Sequence, residues 1–236
     1  MSSVVKRGFV PTDEIEFQEE KLIVIKRAQE DVLHFIERGY PIKSTSTFVG
    51  NHYMLSERQR LAIVRATARR EAVHLRENKR LKASSVEDCV YIDGLNLIIT
   101  LEVALSGSTL LRCMDGTIRD LAGLRGTYRL IDKTDCAIKL IGDKLEEMNI
   151  LKAVFYLDAP VSNTGRLKQR IYELLEGYPY QIAVELVNNV DEILEKKGCV
   201  ITSDSIILNM CESWINLVAE IIDEKITGTR CINLTC

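Results

Sequence analysis

From residue 86 onward, short apolar runs alternate with stretches typical of helices, and this alternation constrains the fold of the 236-residue chain more than any other feature. The runs are rich in β-branched residues and read CVYID (89–93), AVFYLD (153–158), QIAVELV (181–187) and CVITSD (199–204). Strands of this composition, separated by helices, form parallel sheets that are buried on both faces. The sequence therefore predicts an α/β fold with a mainly parallel, three-layer sheet.

The segments between these strands complete the predicted domain. Helices are expected near residues 95–105, 132–148, 164–176, 190–197 and 205–224, and a hairpin is expected around residues 109–120. Within the hairpin, Asp115 and Gly116 are expected to form the turn. We place the domain boundary after residue 85, which gives a helical N-terminal region (1–85) and an α/β domain (86–236).

The N-terminal region is predicted to be helical. Residues 14–38 carry apolar side chains on one helical face, and a Gly-x-Pro sequence ends that helix. A loop rich in Ser and Thr is expected over residues 40–54. Ser56 then caps a second helix, which is expected to continue to about residue 81.

This second helix is strongly basic. Residues 56–82 contain nine Lys and Arg residues against three Glu, although the whole chain has a net charge of −3. Five arginines recur at spacings that place them in one stripe along a helix: Arg58, Arg65, Arg69, Arg76 and Arg80. Two interpretations stay open, a solvated face with Arg–Glu pairs and a row of guanidinium groups that binds phosphates. For the second we select Arg58, Arg65 and Arg69.

Three of the predicted strands end in an aspartate: Asp93, Asp158 and Asp204. Ligands of open α/β sheets bind at the carboxyl ends of the strands, so these side chains are expected to converge. Carboxylates that lie close together repel one another unless a cation separates them, and their hard oxygen atoms suit Mg²⁺ or Mn²⁺. The sequence thus predicts a metal site; the alternative is that each aspartate only caps the helix that follows it.

Other polar residues near these strand ends are given supporting roles. Asn96, one turn into the first helix of the domain, and Ser205 are expected to orient ligands or water. The loop before the helix at 164–176 contains Ser162 and opens into Arg166. This loop is either a phosphate cradle or a plain capping loop.

Three further acids are weaker candidates. Glu102 and Asp120 are considered as additional metal ligands, because their apolar surroundings are expected to turn them inward. Asp120 beside Arg119 is alternatively an ion-pair partner. Asp191 is expected to be an acid at a helix N-terminus and no more.

Several common chemistries are not indicated. The sequence has no G-x-x-x-x-G-K-[ST], G-x-G-x-x-G or G-x-S-x-G motif, and its three histidines lie in the N-terminal region. Its seven cysteines form no C-x-x-C pair, so we expect reduced, mostly buried thiols. We find neither an apolar run of ~18 residues nor the apolar core of a signal peptide, and we expect a cytoplasmic protein without a membrane partner.

Two resemblances follow from these motifs. YIDGLN with a helix after it, a later strand that ends in Asp158, and TSD at 202–204 resemble the PIN-like and NYN-like nucleases. This implies strand-end acids that bind a divalent metal and hydrolyse RNA. VGNHYMLSERQRLAIVRATA, YIDGLNLIITLEVAL, DGTIRDLAG, LDAPVSNTGRL and VITSDS resemble the largely archaeal, uncharacterised family called domain of unknown function 434. That resemblance implies a helical N-terminal region followed by a PIN-like domain.

The leading hypothesis is a metal-dependent ribonuclease in which the three strand-end aspartates hold Mg²⁺ or Mn²⁺ and the basic helix neutralises RNA. Three alternatives are kept. The first is a nucleic-acid-binding module with a degenerate PIN-like site, the second a phosphoryl-transfer enzyme for a small substrate, and the third an assembly protein whose arginines bind an acidic partner. The expected partner is nucleic acid, RNA in the first place, and the apolar helix faces allow a homodimer.

Overall fold

The computed structural model describes residues 5–86, 88–123 and 126–235. Its N-terminal region is helical, as predicted, and contains α1 (Asp13–Glu16), α2 (Glu19–Glu37), α3 (Ile42–His52), α4 (Glu57–Ala66) and α5 (Arg70–Lys79). Ser56 caps α4 as predicted, since its hydroxyl accepts the Gln59 amide hydrogen while the Gln59 side chain accepts the Ser56 amide hydrogen.

The predicted loop over residues 40–54 is wrong, because most of it is the helix α3. The Ser and Thr side chains do not break this helix, since they bond to its own carbonyls. Ser44 donates to Pro41 O, and both Ser46 and Thr47 donate to Lys43 O. Pro41 precedes the first helical residue, where its missing N–H costs nothing.

The predicted single helix from Ser56 to residue 81 is also wrong, because it breaks at residues 67–69. Thr67 has extended backbone angles, and its hydroxyl donates to Ile63 O at 2.6 Å, which closes the last turn of α4. Consequently the five arginines do not form one stripe. They are divided between α4, the residue that precedes α5, α5 itself and the strand that follows.

The described residues form nine strands: β1 (Arg80–Leu81), β2 (Cys89–Asp93), β3 (Leu110–Arg112), β4 (Ile118–Asp120), β5 (Lys152–Asp158), β6 (Gln181–Val187), β7 (Val200–Ile201), β8 (Trp214–Ile215) and β9 (Cys231–Asn233). Six of them build a sheet of order β1-β8-β7-β2-β5-β6, in which every pair is parallel. The four strands predicted for this sheet are all present. β8 was missed, and it interrupts the helix expected at 205–224.

Helices cover both faces of this sheet: α6 (Gly94–Leu105), α7 (Thr134–Glu147), α8 (Thr164–Leu175), α9 (Val190–Leu194), α10 (Ser205–Met210) and α11 (Leu217–Lys225). Alternate residues of β5 face opposite ways, so Phe155 packs with α6, α7, α8 and α11, whereas Val154 packs with α9 and α10. The arrangement is a three-layer, Rossmann-like α/β fold, and the predicted fold class is confirmed.

A second, three-stranded sheet of order β4-β3-β9 joins the N-terminal helices to the α/β layers. β3 and β4 form the predicted hairpin, and β9 was not predicted. Leu111 of β3, and Leu234 directly after β9, share a hydrophobic core with Ile25 and Val32 of α2. β1 lies before residue 86 and pairs with β8, so the N-terminal region is packed on the rest of the chain; the exact division into 1–85 and 86–236 stays a prediction.

Two minor predictions concern cysteines and membranes. The six described cysteines are free thiols, but only Cys113 and Cys211 are buried, and Cys236 lies outside the described residues. A helix of 18 or more residues that is apolar enough to span a membrane does not occur in the described part of the chain.

Candidate functional site

The carboxyl edge of the six-stranded sheet contains the point at which the chain changes direction. From β2 the chain continues to β5 and β6 on one side, and it returns to the other side of β2 with β7. The crevice outside such a switch point is where ligands bind in open α/β sheets. Asp93 ends β2, Asp158 ends β5, and Asp204 follows β7 by three residues. All three strand-end aspartates therefore lie at the same edge, on adjacent strands.

Asp93 is the most buried of these acids. Its residue is 6% exposed, and its Oδ2 accepts a hydrogen bond of 2.8 Å from Thr202 Oγ1. Burial, and to a smaller extent the negative charges of Asp204, Asp158 and Asp191, raise the pKa of Asp93 to about 7, against the Thr202 hydrogen bond, which lowers it. Asp93 thus carries a carboxyl group that is poorly stabilised in its charged form.

The strand-to-helix turn after Asp93 requires glycine. A Cβ atom on Gly94 would lie 2.6 Å from Leu157 Cδ2 and 3.1 Å from Tyr156 O, so no other residue fits between β2 and β5 without a shift. Because α6 begins at Gly94, directly after Asp93, Asn96 comes to the same edge one turn later.

Asp191 belongs to the same acidic cluster. It lies in the first turn of α9, as predicted, but burial raises its pKa, and the charges of Asp204 and Asp158 act in the same direction. Burial likewise raises the pKa of Asp158. Sequence analysis missed this association. The signal was available, since Asp191 follows β6 by only four residues and therefore also lies at the carboxyl edge.

Asn96 holds the turn that follows β7. Its Oδ1 accepts hydrogen bonds from Ser203 N at 3.2 Å and from Ser203 Oγ at 2.7 Å. Thr202 Oγ1 accepts from Asp204 N, and Asp204 Oδ1 accepts from Ile206 N and so caps α10. Asn96 therefore connects α6, which follows β2, to the turn that presents Asp204.

Two buried arginines hold this turn from its other side. Asp115 Oδ2 accepts from Arg76 Nη1 at 2.5 Å and from Arg119 Nη2 at 2.6 Å. Arg119 Nε also donates to Ser203 O at 2.7 Å, and Arg76 Nη2 donates to Ser205 O at 3.3 Å. The carbonyls on both sides of Asp204 are thus bonded to guanidinium groups.

Asp115 was predicted only as a turn residue. It does turn the β3–β4 hairpin, with Gly116 at φ +74°. Burial by itself raises the pKa of Asp115, but the charges of Arg119 and Arg76 and the hydrogen bonds from Thr117 outweigh burial and hold it below its usual value. The ion-pair centre depends on contacts between distant segments, and the local sequence contains no signal for it.

A cleft of about 810 Å³ opens between the N-terminal helices and this turn. Its lining brings together five residues selected from the sequence: Arg65, Arg69, Asn96, Asp204 and Ser205. Arg69 is exposed, and the Arg65 side chain is 33% exposed with its Nη2 3.8 Å from Asp120 Oδ2. Basic residues of the N-terminal region and an acid of the sheet edge therefore face one space.

Arg58 does not contribute to this cleft, which corrects its selection as a phosphate ligand. Its Nε and Nη2 each lie 2.8 Å from the Asp13 carboxylate, and its other contacts are the carbonyls of Leu121 and Gly8. Four of its five N–H groups are used inside the protein, so Arg58 connects α1 and α4 to the loop after β4.

Glu102 and Asp120 also have internal partners. Glu102 is fully buried on α6 and accepts from Arg7 Nε at 2.8 Å, from Tyr128 Oη at 2.7 Å and from Thr134 Oγ1. Asp120 accepts from Ala122 N at 2.7 Å and from Thr100 Oγ1 at 3.2 Å. The structure does not place either acid among the strand-end aspartates.

Ser162 and Arg166 lie at the carboxyl edge but outside the cleft lining. Both are exposed, in the loop after β5 and the first turn of α8. Ser162 N donates to Gly126 O at 3.2 Å, and Asn163 takes a left-handed conformation with φ +66° just before α8 begins. The loop thus contacts the segment at Gly126, and Asn163 makes no side-chain hydrogen bond that caps α8; both interpretations of the loop stay predictions.

The strand-end acids fit a divalent cation in their chemistry and charge. Four carboxyl groups share one edge, and neighbouring carboxylates raise the pKa of Asp93 and Asp191, although the charge of Asp204 also acts on Arg76 and Arg119. Such an excess of negative charge is what a divalent cation relieves, and carboxylate oxygens suit Mg²⁺ or Mn²⁺. However, no group of three or more His, Cys, Asp or Glu side chains within the described ranges is arranged to hold a metal ion. Binding would therefore require carboxylates such as the Asp204 helix cap to turn.

The fold and this edge define an α/β protein with a Rossmann-like parallel sheet and an acidic switch point beneath a basic cleft. Residues 83–220 match the family described as Domain of unknown function (DUF5616), and residues 24–79 match the one described as Protein of unknown function (DUF434). The chain belongs to the first family, and the segment before it is similar to the second. "Uncharacterized protein MJ0935" of Methanocaldococcus jannaschii is 37% identical over 202 residues, which cover 84% of this chain and 97% of that protein. No solved structure gives a significant match.

Proposed function

We propose that this protein is a divalent-metal-dependent nuclease that acts on RNA. The observation that carries the proposal is the cleft in which Arg65 and Arg69 face Asp204 and Asn96, at the switch point of the sheet. Cationic side chains bring a polyanion to an acidic centre that would otherwise repel it. The resemblance of the YIDGLN and TSD motifs to PIN-like and NYN-like nucleases supports the same activity.

Asp93, Asp158 and Asp204 would hold the metal. When bound, a divalent cation polarises a phosphodiester and lowers the pKa of a water molecule. The residues of the chain then have separate tasks. Asn96 fixes the Ser203 backbone and so the position of Asp204, while Arg65 and Arg69 bind the phosphates on the open side of the cleft.

A nucleic-acid-binding module with a degenerate site is the second candidate, and a specific observation favours it. The described acids contain no ready-made group that holds a metal, and Asp204 is engaged as a helix cap. In this case the cleft would bind RNA through its arginines, and the carboxylates would not support cleavage.

The deciding experiment is cleavage of labelled RNA by the wild type and by Asp204→Asn, purified side by side with Mn²⁺, Mg²⁺ or a chelator. We expect chelator-sensitive cleavage by the wild type and a loss in Asp204→Asn larger than the roughly 10- to 100-fold that is typical of residues outside the metal's own ligands. The matched control is Asp88→Asn, an exposed acid just before β2, at the opposite edge of the sheet.

Three outcomes are informative. Cleavage that is equal in the wild type and Asp204→Asn indicates a contaminating nuclease. RNA binding without cleavage by the wild type, with both metals and several RNAs, favours the binding module. Neither binding nor cleavage contradicts both candidates.

A further inference from the structure

We infer that Tyr40 is a base-stacking residue of the cleft, and that the N-terminal region thereby selects single-stranded RNA; this inference rests on the proposed RNA function. Tyr40 lies between α2 and α3 and borders the same cleft as Arg65, Arg69 and Asp204. The residue is 56% exposed, so its ring is accessible to a ligand in the cleft.

The backbone fixes Tyr40 in this position. Gly39 has φ +90°, its N–H bonds to Ile36 O at 3.0 Å, and the Tyr40 N–H bonds to Phe35 O at 3.3 Å. These two bonds form the Schellman motif that ends α2. Pro41 follows immediately with φ −66°. A short turn between two helices therefore holds the aromatic side chain with little freedom to lose on binding.

The Tyr40 ring packs against Phe35 of α2. It meets the Phe35 ring in an edge-to-face contact with centroids 5.7 Å apart. An apolar contact between these two positions commonly accompanies the Schellman motif. Phe48 touches the same Phe35 ring, at 6.0 Å, and is 66% exposed, but it lies outside the cleft lining. Of the three exposed rings that meet Phe35, which are His34, Tyr40 and Phe48, only Tyr40 borders the charged site.

The other residues near Tyr40 match a single strand. Lys43, Arg65 and Arg69 supply cations for the backbone, and Ile206, 58% exposed, supplies apolar surface on the side of Asp204. Single-stranded nucleic acids bind where cationic grooves combine with aromatic platforms, because every unpaired base has a free face. In a duplex the bases are already stacked on one another, so no base face is free to stack on the Tyr40 ring.

The test measures binding of a labelled oligoadenylate and of a blunt RNA duplex by fluorescence anisotropy, with a chelator present so that no cleavage occurs. The variants are Tyr40→Phe, which keeps the ring, and Tyr40→Leu, which keeps an apolar contact with Phe35 but has no ring. Phe48→Leu is the matched control. We expect Tyr40→Leu to bind the single strand at least about fivefold more weakly, Tyr40→Phe and Phe48→Leu within about twofold of the wild type, and duplex binding unchanged.

Stacking also predicts that the dependence of affinity on salt keeps its slope in Tyr40→Leu, since no charge is removed. Equal affinity of the wild type and Tyr40→Leu for the single strand overturns the inference, as does equal weakening for single strand and duplex, or absence of RNA binding. If Tyr40→Leu cleaves RNA as well as the wild type does, the inference is contradicted and the nuclease proposal stays intact. Tyr40-dependent binding without metal-dependent cleavage contradicts the nuclease and leaves the inference intact.

Discussion

Thr202 Oγ1 donates a hydrogen bond of 2.8 Å to Asp93 Oδ2, and this bond opposes the rise in pKa, to about 7, that burial and three neighbouring acids cause in the Asp93 carboxyl group. The two residues are level with each other at the ends of β2 and β7, the strands on either side of the switch point. The crevice of the sheet thus contains one acid, Asp93, whose charged form is unfavourable unless a cation is close to it.

The first prediction concerns pH and stability. The folded-state pKa of Asp93, about 7, lies above its ordinary value of 3.8, so its favourable contribution is fully present below about pH 4 and is lost as pH rises through 7. Asp93→Asn does not titrate and avoids this loss. We expect its free energy of unfolding, relative to the wild type, to increase between pH 4 and pH 8 by on the order of 3–4 kcal/mol. Denaturant unfolding with a chelator present measures this change.

The control for this prediction is Asp88→Asn on the same segment. Asp88 is exposed, just before β2, and its substitution should leave the pH dependence of stability unchanged. If Asp93→Asn and the wild type lose stability in parallel between pH 4 and 8, the pKa of Asp93 is not raised.

The second prediction concerns metal. A ligand that binds only the folded state raises stability according to its concentration relative to its Kd, so 100 Kd of Mn²⁺ should add about 2.7 kcal/mol. We expect Mn²⁺ to raise the Tm of the wild type at pH 7.5 and to raise it much less in Asp93→Asn and Asp204→Asn. Asp88→Asn should respond like the wild type. Equal shifts in all four proteins would place the ion elsewhere.

The strand-end aspartates could be located from sequence because their signal is local. A β-branched run that ends in Asp fixes both the strand and the position of its last side chain, and parallel strands bring all such ends to one edge. The positions of Asp93 and Asp158 at the ends of β2 and β5 therefore followed from the pattern, whereas Asp204 lies at the same edge but three residues beyond the end of β7. Their side-chain bonds, such as the one between Asp204 and Ile206 N, did not, since they depend on rotamers that the pattern does not fix.

The arginines show the opposite case. The predicted stripe assumed one continuous helix, but α4 ends at Thr67, so the five arginines lie on separate elements. Arg58 and Arg76 then pair with Asp13 and Asp115, at 45 and 39 residues' separation along the chain. Contacts of this kind arise from the packing of the N-terminal helices on the second sheet. That packing includes β9, which is three residues long and gives no distinct signal.

The third prediction concerns Arg65 and Arg69; of the three stripe arginines that line the cleft these are the two with accessible side chains, since Arg76 is buried. If they contact phosphates, the double substitution Arg65→Ala with Arg69→Ala should weaken binding to single-stranded RNA and reduce the slope of log K against log salt by about 0.7 for each contact. Arg70→Ala is the matched control, because Arg70 is adjacent and exposed but outside the cleft lining. An unchanged slope in the double variant would make the two arginines structural.

The fourth prediction tests whether the N-terminal region is a separable arm. Arg76 is 3% exposed and bonds to Asp115, to Asn209 Oδ1 and to Ser205 O, so it ties α5 both to the hairpin and to the turn beside Asp204. Removing one partner of a buried pair leaves an uncompensated charge, although Arg119 still faces Asp115 in the variant. We therefore expect Arg76→Ala to lower the free energy of unfolding by about 3 kcal/mol.

The control for Arg76→Ala is Arg80→Ala, which removes an exposed side chain whose guanidinium lies 5.8 Å from the Trp214 ring centroid and should cost no more than about 1 kcal/mol. Arg76→Lys keeps the charge but loses the two-armed guanidinium and should fall between the two.

Removal of residues 1–82 deletes Arg76, β1 and the Arg7 partner of buried Glu102 together, so we expect that truncation to fail to fold. A folded, RNA-cleaving 83–236 fragment, or equal stability of Arg76→Ala and Arg80→Ala in urea, would show instead that the N-terminal helices are an independent arm.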